Sequence, residues 1–153
     1  MAPLIILLVA FVLLYSINRL VLNKKYSISI IGRVSLSLML VATGIAHFTK
    51  TEEMIQMLPI FLPCKEGIIY ATGFAEFLAA AGLLTKGFSR LTSILLIVFF
   101  LAILPANIVG SFNEVALGGM ENGPSYLYFR IPLQLFFIAW TYYFGIRTQH
   151  RSD

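Results

Sequence analysis

The sequence predicts an all-α fold, a polytopic bundle of membrane-spanning helices, and three observations carry that prediction. Of the 153 residues, 59% are hydrophobic and 12% are charged, and the mean hydropathy is +0.88. A soluble domain is nearer to about 45–50% apolar and about 25% charged. A chain this short cannot hide so much apolar surface in a water-soluble core. Second, the apolar residues fall into five runs, each long enough to cross a hydrocarbon layer of about 30 Å. Third, most basic residues lie in alternate connections, an asymmetry typical of membrane proteins.

The elements follow in order. The first span covers about 3–22 and ends at the turn NKKYS. Its opening, MAPLIILL, lacks the basic start of a signal peptide, and no small-residue cleavage site follows it, so it reads as a retained helix. The alternative is a cleaved leader that leaves four spans. The second span covers about 28–48. Residues 49–66, TKTEEMIQMLPIFLPCKE, are too charged to span, and Pro59 and Pro63 break any long helix. They predict a short amphipathic piece at the membrane boundary. The third span covers about 67–85 and the turn TKGFSR follows it. The fourth covers about 91–109, with Pro105 inside it and a polar connection after it at 110–125. The fifth covers about 127–146. Tyr70, Tyr126, Tyr128, Trp140, Tyr142 and Tyr143 lie near span ends and predict interfacial belts. No linker divides the chain, so residues 1–153 read as one membrane domain.

Charge sets the direction. Arg19, Lys24, Lys25, Arg33, Lys86, Arg90, Arg147 and Arg151 share one side, against Lys50, Lys65 and Arg130 on the other. The positive-inside rule then puts the N-terminus outside and the C-terminus in the cytoplasm. The single cysteine, Cys64, excludes a disulfide framework and any multi-cysteine metal site. His47 and His150 fall on opposite sides and cannot ligate one haem, so neither haem nor metal is expected. Nothing reads as a nucleic-acid module.

Residues 42–48 read ATGIAHF and residues 71–77 read ATGFAEF. Small residues let helices approach closely in lipid, so the shared frame predicts packing between the second and third spans. The match stops after these residues, which argues against a duplicated domain. Packing does not account for His47 and Glu76. At about 1.5 Å per residue, Glu76 lies on the order of 14 Å below the start of its span, close to the midplane. Asn107, near the end of the fourth span, and Arg130 and Gln134, one helical turn apart on the fifth, fall in the same outer half. An ionisable group inside a membrane is costly unless paired or wet, and marks a candidate site. Each residue also has a structural reading. Glu76 can be a buried strut, His47 can be solvated at the interface and Arg130 can snorkel to headgroups. Asn107 and Gln134 can be glue between helices.

The stretch GIAHF at 44–48, Pro59, GFAEF at 73–77 and LPAN at 104–107 resembles the DoxX-like family of small bacterial membrane proteins. The likeness covers about residues 30–146. It implies a four-helix core, to which the N-terminal helix is an addition, in the bacterial cytoplasmic (inner) membrane. It places the family's recurrent polar positions at His47, Glu76 and Asn107. Arg130 and Gln134 come from depth alone. The resemblance implies association with redox systems through a diffusible quinone or a partner protein.

Two functions compete. One is a site for a quinone or similar amphiphile, with His47, Glu76 and Arg130 at its head group and Phe48, Phe74, Phe77 and Phe129 along its apolar part. The other is a non-enzymatic scaffold or accessory subunit, in a complex or a homo-oligomer, whose polar cluster only locks the bundle. A small transporter ranks below both, because paired repeats are missing.

Overall fold

The computed structural model describes residues 2–148, so His150 and Arg151 lie outside the described residues. Six α-helices follow one another: α1 (Ala2–Leu20), α2 (Ile28–Thr49), α3 (Thr51–Gln56), α4 (Lys65–Leu84), α5 (Ser89–Phe112) and α6 (Leu127–Tyr142). A 3-10 segment, Met120–Tyr126, leads into α6, and a π-helical turn, Tyr143–Arg147, continues it. By length and composition, α1, α2, α4 and α5 can each cross a membrane. The α-helical part of the last predicted span is 16 residues long, and the π turn extends its helical path to Arg147.

Local chemistry sets the boundaries. Ser27 caps α2, its hydroxyl accepting from the Ile30 amide at 3.4 Å. The predicted boundary segment contains α3, which stops before Pro59. Between Pro59 and Pro63 the chain turns with Ile60 94% and Phe61 82% exposed. Cys64, left-handed at φ 49°, redirects it into α4 two residues earlier than predicted. Pro105 lies inside α5, which continues through it to Phe112.

Side-chain bonds show which helix ends meet. Ser29 donates to the Phe144 carbonyl at 2.9 Å, and Arg33 donates to the Leu83 carbonyl at 3.4 Å. The start of α2, the end of α4 and the π turn therefore share one end of the bundle. At the opposite end Asn113 donates to the Gln56 carbonyl at 3.0 Å. A core of Leu7, Leu36, Leu40, Leu83, Leu96, Phe100 and Phe137 lies between.

α1 is the least embedded of the long helices, with only Leu7 and Asn18 buried. Its Phe11 packs edge-on against Trp140, with ring centroids 5.0 Å apart. Asn18 exchanges two hydrogen bonds with the Tyr26 backbone. Trp140, expected in a belt, packs against other helices. Its indole donates to the Gly32 carbonyl at 3.1 Å, and its ring stacks among Phe11, Phe136 and Phe144.

The repeated frames form a seam in the most extensive helix–helix contact, between antiparallel α2 and α4. A Cβ on Gly44 would stand 2.6 Å from the Phe77 ring. A Cβ on Gly73 would stand 2.8 Å from the His47 Cβ and 2.9 Å from the Phe48 ring. Each glycine thus seats the phenylalanine of the other frame. Phe48 and Phe77 stack nearly parallel, with centroids 6.0 Å apart. Gly73→Val should cost about 1–3 kcal/mol by overpacking, read by reversible unfolding in micelles. Gly67→Ala, where nothing lies within 4 Å, should stay within about 0.5 kcal/mol of the parent. Equal effects at the two glycines would refute the seam.

Candidate functional site

Helical periodicity splits each frame into two stripes. Gly and Phe, four apart, face the partner helix across the seam. Thr and the titratable residue, also four apart, lie one position back and face a cavity: Thr43 and His47 on α2, Thr72 and Glu76 on α4.

His47 and Glu76 meet there, Nε2 to Oε1 at 3.7 Å, with side chains 14% and 6% exposed. The other ring nitrogen, Nδ1, lies 3.1 Å from the Ile69 carbonyl and 3.1 Å from the Thr72 hydroxyl. The Thr72 hydroxyl also lies within hydrogen-bond distance of the Ile69 and Ile68 carbonyls of its own helix, at 2.8 and 3.0 Å. The imidazole is thus held from behind and presents Nε2 to the carboxyl group. Glu76 Oε2 is buried and has no hydrogen-bond partner in the protein.

Arg130, on α6, donates from Nη2 to Asn107 Oδ1 at 2.9 Å. Asn107 in turn donates to the Ile103 carbonyl of its own helix at 3.1 Å. Arg130 Nε is buried and has no hydrogen-bond partner.

His47, Glu76, Asn107 and Arg130 line one cavity of about 410 Å³. Its walls are mostly apolar, from Ile6, Ala46, Phe99 and Ile103, and it reaches Lys50, Met54 and Gly118 at the end of the bundle. The volume falls within the range of small-molecule sites. Among the described residues no group of three or more His, Cys, Asp or Glu side chains is placed to hold a metal ion.

Two expectations about the lining are corrected. Gln134 lies outside the cavity. It is buried, and its amide donates to the Phe100 carbonyl at 2.6 Å, tying α6 to α5. That carbonyl neighbours the one at Leu101, which loses its helical donor to Pro105. Phe48, Phe74, Phe77 and Phe129 do not line the cavity either. Phe48 and Phe77 belong to the seam, and Phe74 is 59% exposed on the outer face. Sequence reasoning missed Thr43, Thr72 and Tyr126. The threonines were detectable, since each stands four residues before His47 or Glu76 in its frame. Tyr126 was not. Assigned to a belt, it is buried because the 3-10 segment folds it inward beneath Gly119.

No curated protein and no solved structure matches the chain. A family model described as a domain of unknown function, DUF8561, matches residues 36–145. The matched segment omits α1 and the first turns of α2, and holds every polar residue of the cavity described above. The chain belongs to the DUF8561 family.

Proposed function

We propose that the chain is a DoxX-like, redox-associated subunit of the bacterial inner membrane that binds a quinone or similar amphiphile in the outer half of its bundle. In this reading α6 and its π turn form a fifth span, with the N-terminus outside and the C-terminus in the cytoplasm. One observation carries the proposal. Two buried polar atoms without protein partners, Glu76 Oε2 and Arg130 Nε, belong to residues that line the same mostly apolar cavity. Leaving such groups unsatisfied costs about 1–3 kcal/mol each, more when charged. A head group that accepts from Arg130 and bonds Glu76 would remove that penalty, and Phe99 and Ile103 line the cavity where its apolar part would lie.

The residues fit a quinone. Arg130 would offer the head group a donor and Glu76 a carboxyl group, while Asn107 holds the guanidinium in place. Bound there, a quinone would supply two-electron, two-proton redox chemistry. The scaffold alternative draws support from Gln134, whose whole role is a bond between α5 and α6.

Decylubiquinone titrated into the micellar protein should bind saturably. Glu76→Ala and Arg130→Met should each weaken binding about tenfold or more, the equivalent of about 1.4 kcal/mol. Gln134→Leu should leave affinity unchanged while lowering stability by about 0.6–1.7 kcal/mol. Absence of saturable binding by the parent protein would favour the scaffold.

Orientation has its own measurement. In a Cys64→Ser background, a membrane-impermeant maleimide applied to intact cells should modify Asn122→Cys and leave Asn23→Cys unlabelled. The reverse pattern would invert the bundle.

A further inference from the structure

The geometry points to the His47–Glu76 pair as a proton toggle, which lets one carboxyl group act as donor or acceptor toward the bound head group. The inference rests on the amphiphile-binding reading and adds to it the chemical class of the ligand. That class is a head group presenting a carbonyl in one form and a hydroxyl in another.

Three features build the toggle. The Ile69 carbonyl can only accept, so it requires a proton on Nδ1, and the Thr72 hydroxyl can accept beside it because the Ile69 and Ile68 carbonyls are in reach of its own proton. With Nδ1 protonated, only Nε2 can gain or lose a proton, and Nε2 faces Glu76 Oε1 at 3.7 Å. That gap is about 0.5–1 Å beyond a hydrogen bond, closed by a small rotation of either side chain. Finally, Glu76 Oε2 has no hydrogen-bond partner and the residue lines the cavity.

The pair shares one proton in two arrangements. In the first, His47 is an imidazolium and Glu76 a carboxylate, so Oε2 accepts from a hydroxyl head group. In the second, the Nε2–H bond breaks and an Oε1–H bond forms, leaving a neutral imidazole and a carboxylic acid. A half-turn about the soft terminal torsion of Glu76 brings that O–H to the cavity side, where it donates to a carbonyl head group. Protons and charge balance within the pair, and none is exchanged with water. The other charged or titratable groups lining the cavity are Arg130 and Tyr126 from the α6 side and Lys50 from the end of α2. Arg130 keeps its fixed bond to Asn107 in both arrangements.

The test is nitrogen NMR of ¹⁵N-histidine-labelled protein in micelles, with His150→Gln leaving His47 as the single histidine. The probes are decylubiquinone and its reduced form, decylubiquinol. Nδ1 should be protonated with both, while Nε2 should be unprotonated with decylubiquinone and protonated with decylubiquinol. In Glu76→Gln, which cannot exchange a proton, Nε2 should be in the same state with either probe. An unprotonated Nδ1, or an Nε2 that does not differ between the two loaded forms of the parent, would overturn the toggle while leaving the binding site intact. If neither probe binds, the binding reading falls, and the toggle with it.

Discussion

The close approach of α2 to α4 is the constraint on which the rest of the site depends. In an apolar solvent, helices gain little from burying leucine, and contact distance decides which faces meet. Gly44 and Gly73 remove the two side chains that would hold these backbones apart, and Phe77 and Phe48 fill the spaces they leave. Because the helices are antiparallel, one local solution serves both. The residue before each phenylalanine is then turned off the seam by one helical step. His47 and Glu76 face each other because their neighbours are locked, not because they attract one another across a distance.

Electrostatics follows from that geometry. A lone ion in the bundle would cost several kcal/mol. Arg130 and Glu76 line the same cavity, and Asn107 takes one guanidinium nitrogen while relaying to the Ile103 carbonyl. The cluster is unsaturated, with one buried carboxyl oxygen and one buried donor left over. Struts elsewhere in the bundle look different. Gln134, Ser29 and Trp140 each donate to a backbone carbonyl on another helix.

How much of this was legible in the sequence depended on whether the signal was periodic. Apolar run length gave the four long helices, and depth along a helix brought His47, Glu76, Asn107 and Arg130 together. Depth alone cannot give azimuth. Gln134 shares the depth of the cluster and the face of Arg130, but its amide is taken by the Phe100 carbonyl. The phenylalanines of the frames looked like ligand walls because they flank the titratable residues. A one-residue offset on a helix turns about 100°, and that offset sends them to the seam. Trp140 and Tyr126 sit at the heights of interfacial residues, but Gly32 makes room for the Phe144 ring beside Trp140, and Gly119 for the Tyr126 ring itself. The π turn at Tyr143–Arg147 and the left-handed Cys64 that starts α4 are local backbone features for which hydropathy has no sign.

The turn between Pro59 and Pro63 bears on the vertical seating of the bundle. Ile60 and Phe61 project from it almost wholly uncovered, and the two prolines restrict the backbone that carries them. Once the bundle sits in a bilayer, each of these side chains gains about 1.5–3 kcal/mol on leaving water for acyl chains. Lys50 and Lys65, on either side, are held at the aqueous edge by their charge. The turn therefore acts as a keel. Lifting the bundle exposes two large apolar groups to water, and pushing it down drags two ammonium groups toward hydrocarbon. In a bilayer, the draught at which the cavity rides would then be set by a loop that contributes no residue to its lining.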